Sequence, residues 1–324
     1  MVLFAILISG SFPIGAYISN DIDPIALTFI RFLLASVLLA VFLWRRHMFQ
    51  REYFKRPWRY FLLGGSFSFY FIFMFEALKT ASPISTSSIF TLMPFLAVCL
   101  DRAFLGLKTK ANIVFYLLVG SAGALVIIFQ GSLANLMYLN LSYGEFVFFL
   151  GTLSHVSYAV FMPKLRSGEP AIFVTFAVMA SASILILLIF PNRIVQTDWA
   201  GLGWDMYLCI AYLAIFASIF SFTLLTFASS HLASGQLTAY TFSTPFWVTV
   251  FQVAVFDQSL FAYLIVGGAM IFFSLVMLLW RAQPCVEQKP QSSRRKKCPL
   301  MQKMIRRNVF NNGKLTFIYC EISN

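Results

Sequence analysis

Residues 81–130 read ASPISTSSIFTLMPFLAVCLDRAFLGLKTKANIVFYLLVGSAGALVIIFQ, two long apolar segments joined by a short basic turn. Residues 231–280 echo them with HLASGQLTAYTFSTPFWVTVFQVAVFDQSLFAYLIVGGAMIFFSLVMLLW. Both stretches carry an early Ala-Ser pair, at 81–82 and at 233–234. Both then reach a proline followed by a phenylalanine, Pro94-Phe95 and Pro245-Phe246. After the turn, YLLVGSAG from Tyr116 is answered by YLIVGGAM from Tyr263. A duplication with a proline inside each copy, in a chain this apolar, points to a two-fold transporter architecture.

The composition names the solvent. Of 324 residues, 60% are hydrophobic and 11% charged, against roughly a quarter charged in soluble domains. No water-soluble core hides that much apolar surface. A bilayer span takes about 20 apolar residues, and ten segments qualify: 2–19, 24–44, 58–78, 83–101, 111–129, 144–163, 171–190, 206–229, 233–256 and 261–280. Phe67, Phe69, Phe71, Phe73 and Phe75 alternate as in a strand, but they sit in an apolar run of helical length, which predicts a helix. The first segment lacks the basic leader of a cleaved signal peptide. It is expected to be an uncleaved span, entered so early that a few starting residues are expected to be missing.

Charge sets the orientation. Of the formal +12, +8 belongs to residues 281–324, a polar basic tail with RRKK at Arg294–Lys297. Lys/Arg collects in the even-numbered connections, which hold eleven against two in the odd ones. Both termini are therefore expected in the cytoplasm. Five spans per copy is an odd number, so the second copy enters from the opposite side and the repeat is inverted. The expectation is an all-α integral membrane protein of ten transmembrane helices, as two inverted five-helix repeats at 1–131 and 140–281, followed by a disordered tail at 282–324. A basic balance placed this way does not imply nucleic acid. Cys99, Cys209, Cys285, Cys298 and Cys320 form no C-x-x-C pair, and the three histidines lie far apart, so neither a metal site nor a disulfide framework is read. No cofactor is expected, and no catalytic signature argues for an enzyme.

Taken in order, GSFP at Gly10, PIALTFIRFLLA at Pro24, ALKTASP at Ala77, the Pro94 and Pro245 segments and the small-residue helices at Gly120 and Gly267 resemble the EamA-type permeases of the drug/metabolite transporter superfamily. The resemblance covers about residues 1–281. The L-G-E-type signature that usually closes the fourth and ninth spans is changed here to Leu105-Gly106-Leu107-Lys108 and Phe256-Asp257-Gln258. The resemblance implies ten helices, export or uptake of a small metabolite, and a central cavity lined by helices one, three, four, six, eight and nine.

Candidate functional residues follow. Pro94 and Pro245 remove a helical hydrogen bond and are read as hinges, against a static bend. Gln236, Tyr240, Ser243 and Trp247 recur at i, i+4, i+7 and i+11, a polar and aromatic stripe read as a substrate wall, against hydrogen bonding between helices. Ser87 and Thr91, with Pro94, make the matching face of the fourth helix. His155, with Tyr158 one turn away, is a cavity residue or a histidine satisfied by a neighbouring serine. Glu76, one turn before Lys79, is a gate or ion-coupling carboxylate, or an interfacial pair. Arg31, which matches the family's arginine, is read as a structural anchor. Expected partners are a small-molecule substrate and the lipid bilayer, with a proton or another ion as coupling candidate. The expected location is a bacterial-type inner membrane. The competing classes are an exchanger or uptake carrier for a larger metabolite such as a nucleotide sugar, and a non-transporting scaffold or receptor-like subunit.

Overall fold

In hydrocarbon each backbone N–H and C=O must be satisfied inside its own segment, so apolar runs become helices. The computed structural model describes residues 1–106, 109–138, 141–229, 237, 239–256 and 261–281. Its helices are α1 (Val2–Ser9), α2 (Ser11–Ile18), α3 (Pro24–Arg45), α4 (Trp58–Leu78), α5 (Pro83–Phe90), α6 (Met93–Leu105), α7 (Ala111–Ile128), α8 (Leu133–Met137), α9 (Tyr143–Leu165), α10 (Ala171–Ile189), α11 (Pro191–Gln196), α12 (Trp204–Ala214), α13 (Ser221–Ala228), α14 (Thr244–Phe256) and α15 (Ala262–Arg281). Short 3₁₀ turns occur at Arg51–Phe54 and Tyr240–Ser243, and a π-helical turn at Ile215–Phe220 joins α12 to α13. No strand occurs among the described residues, and the alternating phenylalanines lie within α4.

Seven helical stretches among the described residues are long and apolar enough to cross a bilayer; Val2–Ile18 and Ala262–Leu278 are shorter apolar helices. Of the expected ninth span, 233–256, Leu237 and Ala239 are helical, the 3₁₀ turn at Tyr240–Ser243 follows and α14 begins at Thr244, while 233–236 and 238 lie outside the described residues. The chain divides into two units, Met1–Pro284 and Cys285–Asn324. The second, with its RRKK run, lies outside the described residues, as does Gln236.

Helix starts are written locally. Asp23 accepts from the backbone N–H of Ile25 (2.9 Å) and Ala26 (3.3 Å) ahead of Pro24 in the first turn. Ser82 accepts from Ser85 N (3.1 Å) ahead of Pro83. Ser142 and Glu145 form a capping box at the start of α9. Gly106, at φ +63°, ends α6 in the left-handed conformation.

Between helices in lipid, close packing replaces the hydrophobic drive, and small residues allow it. α4 packs most extensively on α9, α7 on α15, and α10 on both α3 and α4. At the α7/α15 seam the backbones nearly touch. A Cβ on Gly123 would stand 2.7 Å from the Gly267 carbonyl oxygen, and one on Gly267 would stand 2.7 Å from that of Gly123. Gly64 plays the same part between α4 and α10, where a Cβ would meet Ala182 N and Val178 O at 2.9 Å. Rings fill the middle of the bundle. Phe12 packs edge-on against Phe90 and Phe148, and Phe32 stacks on Phe67 at 5.3 Å.

Candidate substrate pathway

Several helices change geometry near mid-length. Pro94 has no N–H to donate four residues back, and the turn ahead of it tightens: Thr91 N donates to Ser88 O (3.0 Å) and Leu92 N to Ile89 O (2.9 Å), closing three-residue turns. The helix therefore divides into α5 and α6, with Pro94 in the first turn of the second half. Pro245 sits the same way in α14, after the 3₁₀ turn at Tyr240–Ser243. The expected continuous α-helical stripe on the ninth span is thus corrected. Among the described residues of the stripe, Tyr240 and Ser243 belong to a three-residue turn, where i and i+3 eclipse, and Trp247 lies on the α-helix. A π-turn interrupts the eighth span, and α1 meets α2 at Gly10. These irregular stretches pack on one another: α1 against α14, the π-turn and the 3₁₀ turn, and α5 against α2 and α14.

The expected site residues fall into separate groups. Ser87 and Thr91 are fully buried, but their hydroxyls donate within their own helix, to Ile84 O (2.9 Å) and Ser88 O (2.6 Å). His155 and Tyr158 are buried among the rings of Phe67, Tyr70 and Phe222; the His155 and Tyr70 centroids are 4.3 Å apart. The serine-bonded alternative for His155 is not met. Ser154 donates to Ser66 O and Ser157 to Leu153 O, while His155 Nδ1 has no partner. Tyr240, Ser243 and Trp247 are half-buried, and Trp247 leans on Phe246. Glu76 pairs with Lys79 at 2.8 Å, both about one-third exposed, the geometry of an interfacial pair.

A cavity of about 450 Å³ opens elsewhere, at the end of the bundle carrying the 79–82, 129–142 and 261 connections. Ser82, Ser85, Gln130, Asn135, Ser142 and Glu145 supply its polar lining. Glu145 accepts from Ser85 Oγ and from Ser142 N (2.8 Å), so the capping box also organises the mouth. Among the described residues, none of the expected substrate positions lines this cavity. The signal that could have found it is the pair of serine caps, Ser82 and Ser142, with Glu145 three residues after the second.

The EamA-like transporter family model matches residues 1–129 and 142–280. The chain belongs to the EamA-like transporter family. A relative from Bacillus subtilis (strain 168), described as the uncharacterized transporter YyaM, is 26% identical over 224 residues, spanning 68% of this chain and 72% of that protein. A solved crystal structure superposes with a TM-score of 0.63 at 19% identity, over 86% of this chain and 95% of its own, a likeness of fold. The protein is thus an integral membrane transporter.

Two charged clusters stand out in this EamA-like transporter, one of them around the expected Arg31. Arg31 is fully buried on α3, with Nε 2.6 Å from Ser218 Oγ, Nη2 3.0 Å from the Ala217 carbonyl, and Cζ 3.9 Å over the Phe71 ring. It ties α3 to the π-turn, with partners that sequence alone does not name. At the other cluster, Arg59 on α4 pairs with Glu169, both buried. Arg59 also donates to the Leu165 carbonyl (2.9 Å) and Ser167 Oγ (2.5 Å). Arg166 joins in by donating to the carbonyls of Glu169 and Thr226, both at 2.8 Å. Arg59 and Arg166 were read as loop charges that set orientation, and Glu169 was not singled out. The structure joins them into one clamp, with Arg59 and Glu169 buried and Arg166 half-buried, at the end opposite the cavity.

Proposed function

We propose that this transporter has ten transmembrane helices in two inverted five-helix repeats, 1–131 and 140–281, and exports a small amphipathic metabolite, such as an amino acid, by alternating access across a bacterial-type inner membrane. The observation that carries this reading is the convergence of irregular turns at Gly10, Thr91–Leu92, Ile215–Phe220 and Tyr240–Ser243. Transporters place substrate sites where helices are discontinuous, near the midplane and at the repeat interface. The packing pairs support the pseudo-two-fold: α3 with α10, α5 with α14 and α7 with α15 each join equivalent spans of the two copies. An open cavity at one end and a buried ionic clamp at the other support a cycle in which the two ends open in turn. Pro94 and Pro245 are the hinges of that movement, and Glu76 is left as an interfacial pair. No nucleotide-binding motif is read in the sequence, so an ion or solute gradient drives the cycle.

Flux in proteoliposomes across a panel of amino acids and related solutes tests this. Uptake into preloaded vesicles for one solute class is expected, and counterflow separates exchange from export. With that solute, Tyr240→Ala and Trp247→Ala are expected to raise the apparent KM about tenfold, equivalent to about 1.4 kcal/mol of contact. Val250→Ala, on an exposed face, should change it less. A protein that folds and moves nothing would return the scaffold reading.

Orientation has its own test. In a cysteine-free background, a cysteine at position 51 in intact cells is expected to resist a membrane-impermeant thiol reagent, and one at position 135, in the cavity mouth, to react. The reverse pattern would invert the topology.

A further inference from the structure

A charge kept inside a membrane bundle is costly unless paired, and such residues mark functional sites. Arg31 is fully buried, and none of the ion pairs among the described residues includes it. Its Nε and Nη2 are used on Ser218 and Ala217, while Nη1 has no acceptor. A guanidinium carries five N–H donors in a planar fork that suits a carboxylate. A second unused donor lies on α4, across the Phe71 ring from it. Tyr70 is fully buried, its hydroxyl has no partner, and its ring packs at 4.6 Å on Phe71, the ring that Arg31 covers. His155 Nδ1 is a third buried group without a partner, its ring 4.3 Å from that of Tyr70. The three come from α3, α4 and α9, and one side of the cluster is the π-turn at Ile215–Phe220, a distortion that often marks functional sites.

We infer that Arg31 is the anion-recognition residue of the transport pathway, that Tyr70 is its second donor, and that the transported solute carries a carboxylate. Arg31 Nη1 and the Tyr70 hydroxyl are free donors, equal in number to the oxygens of one carboxylate. A phosphate dianion would ask for more positive charge than the single cation in this cluster. In this conformation the rings of Phe67, Phe90 and Phe222 pack around the group, so the site opens when α4 and its neighbours move. Ser218 and Ala217 hold the guanidinium meanwhile. This deepens the transporter reading proposed above and rests on it.

The test uses the full-length chain in detergent, with thermal unfolding read against matched pairs of carboxylate and neutral amide: pyruvate and pyruvamide, benzoate and benzamide, N-acetyl-leucine and its amide. At least one carboxylate is expected to raise the midpoint saturably while its amide does not. Tyr70→Phe is expected to unfold at the wild-type temperature without ligand, because its hydroxyl bonds nothing in the protein. It should weaken carboxylate binding about tenfold, the effect of one hydrogen bond to a charged group. Arg31→Gln should abolish the response; if it does not fold, Tyr70→Phe decides. Equal binding of an amide, no response to any carboxylate, or unchanged affinity in Tyr70→Phe overturns the inference. Carboxylate binding without flux in proteoliposomes would leave this site standing and remove the transport reading. Flux of a neutral solute that is insensitive to Tyr70→Phe would do the reverse.

Discussion

Glu169→Ala will lower the thermal stability of the full-length protein by about 3 kcal/mol, because it strands a buried guanidinium. The Glu169 carboxylate takes an ion pair from Arg59 and a 2.7 Å hydrogen bond from Ser167 N, and Tyr60 Oη lies 3.2 Å away. Without it, Arg59 keeps only the Leu165 and Arg56 carbonyls and the Ser167 and Tyr60 hydroxyls as acceptors. The double variant Arg59→Met/Glu169→Leu should recover much of the loss, since removing both charges leaves neither unpaired. Glu52→Ala, which breaks a pair exposed on both sides, should leave the midpoint unchanged. The clamp also predicts a pH dependence. Burial by itself would raise the Glu169 carboxyl, but backbone N–H groups at Ser167 and at Glu169 itself, the Arg59 guanidinium and the Tyr60 hydroxyl outweigh it and hold the group below its ordinary 4.5. A depressed carboxyl stabilises the fold at pH above its unfolded value. That contribution is lost as pH falls from about 4.5 through the lower folded value. Unfolding midpoints measured from pH 7 down to pH 3 should fall over that window in wild type, and less steeply in the Arg59→Met/Glu169→Leu variant. A midpoint in Glu169→Ala equal to wild type would mean that the clamp contributes nothing.

Gly123→Leu will prevent recovery of folded, monodisperse protein. Its Cβ would be 2.7 Å from the Gly267 carbonyl and 2.8 Å from Met270 Cβ, in a seam where backbone faces backbone. A carbonyl oxygen of a packed helix cannot rotate aside as a side chain can, so α7 and α15 must separate. Overpacking costs about 1–3 kcal/mol even where side chains can adjust, and here more is expected. Gly268→Leu is the control, since a Cβ there meets nothing within 4 Å. Size-exclusion profiles of the two variants in detergent separate the outcomes. Equal profiles would show that the seam tolerates separation.

The long helices were legible because their determinants are local. The 58–78 apolar run became Trp58–Leu78 to the residue, and the 171–190 run ended one residue early, at Ile189. Asp23, Ser82 and Ser142 mark starts through bonds spanning two or three residues. The prolines also announced the tightened turns. The stripe on the ninth span assumed 3.6 residues per turn across a segment whose own Pro245 follows a three-residue turn, so its geometry changed while the position of the discontinuity did not.

Family membership and the apolar spans are therefore decided along the chain, by composition, caps and an internal echo, each readable within about 20 residues. The pairings are not. Arg59 and Glu169 lie 110 residues apart, and Arg31 and Ser218 lie 187 apart. Nothing in the local sequence says that one arginine is buried against a carboxylate while the other keeps an unused N–H. Helix packing settles which charges lose water together, and desolvation then makes one pair a clamp and leaves Arg31 Nη1, the Tyr70 hydroxyl and His155 Nδ1 without partners.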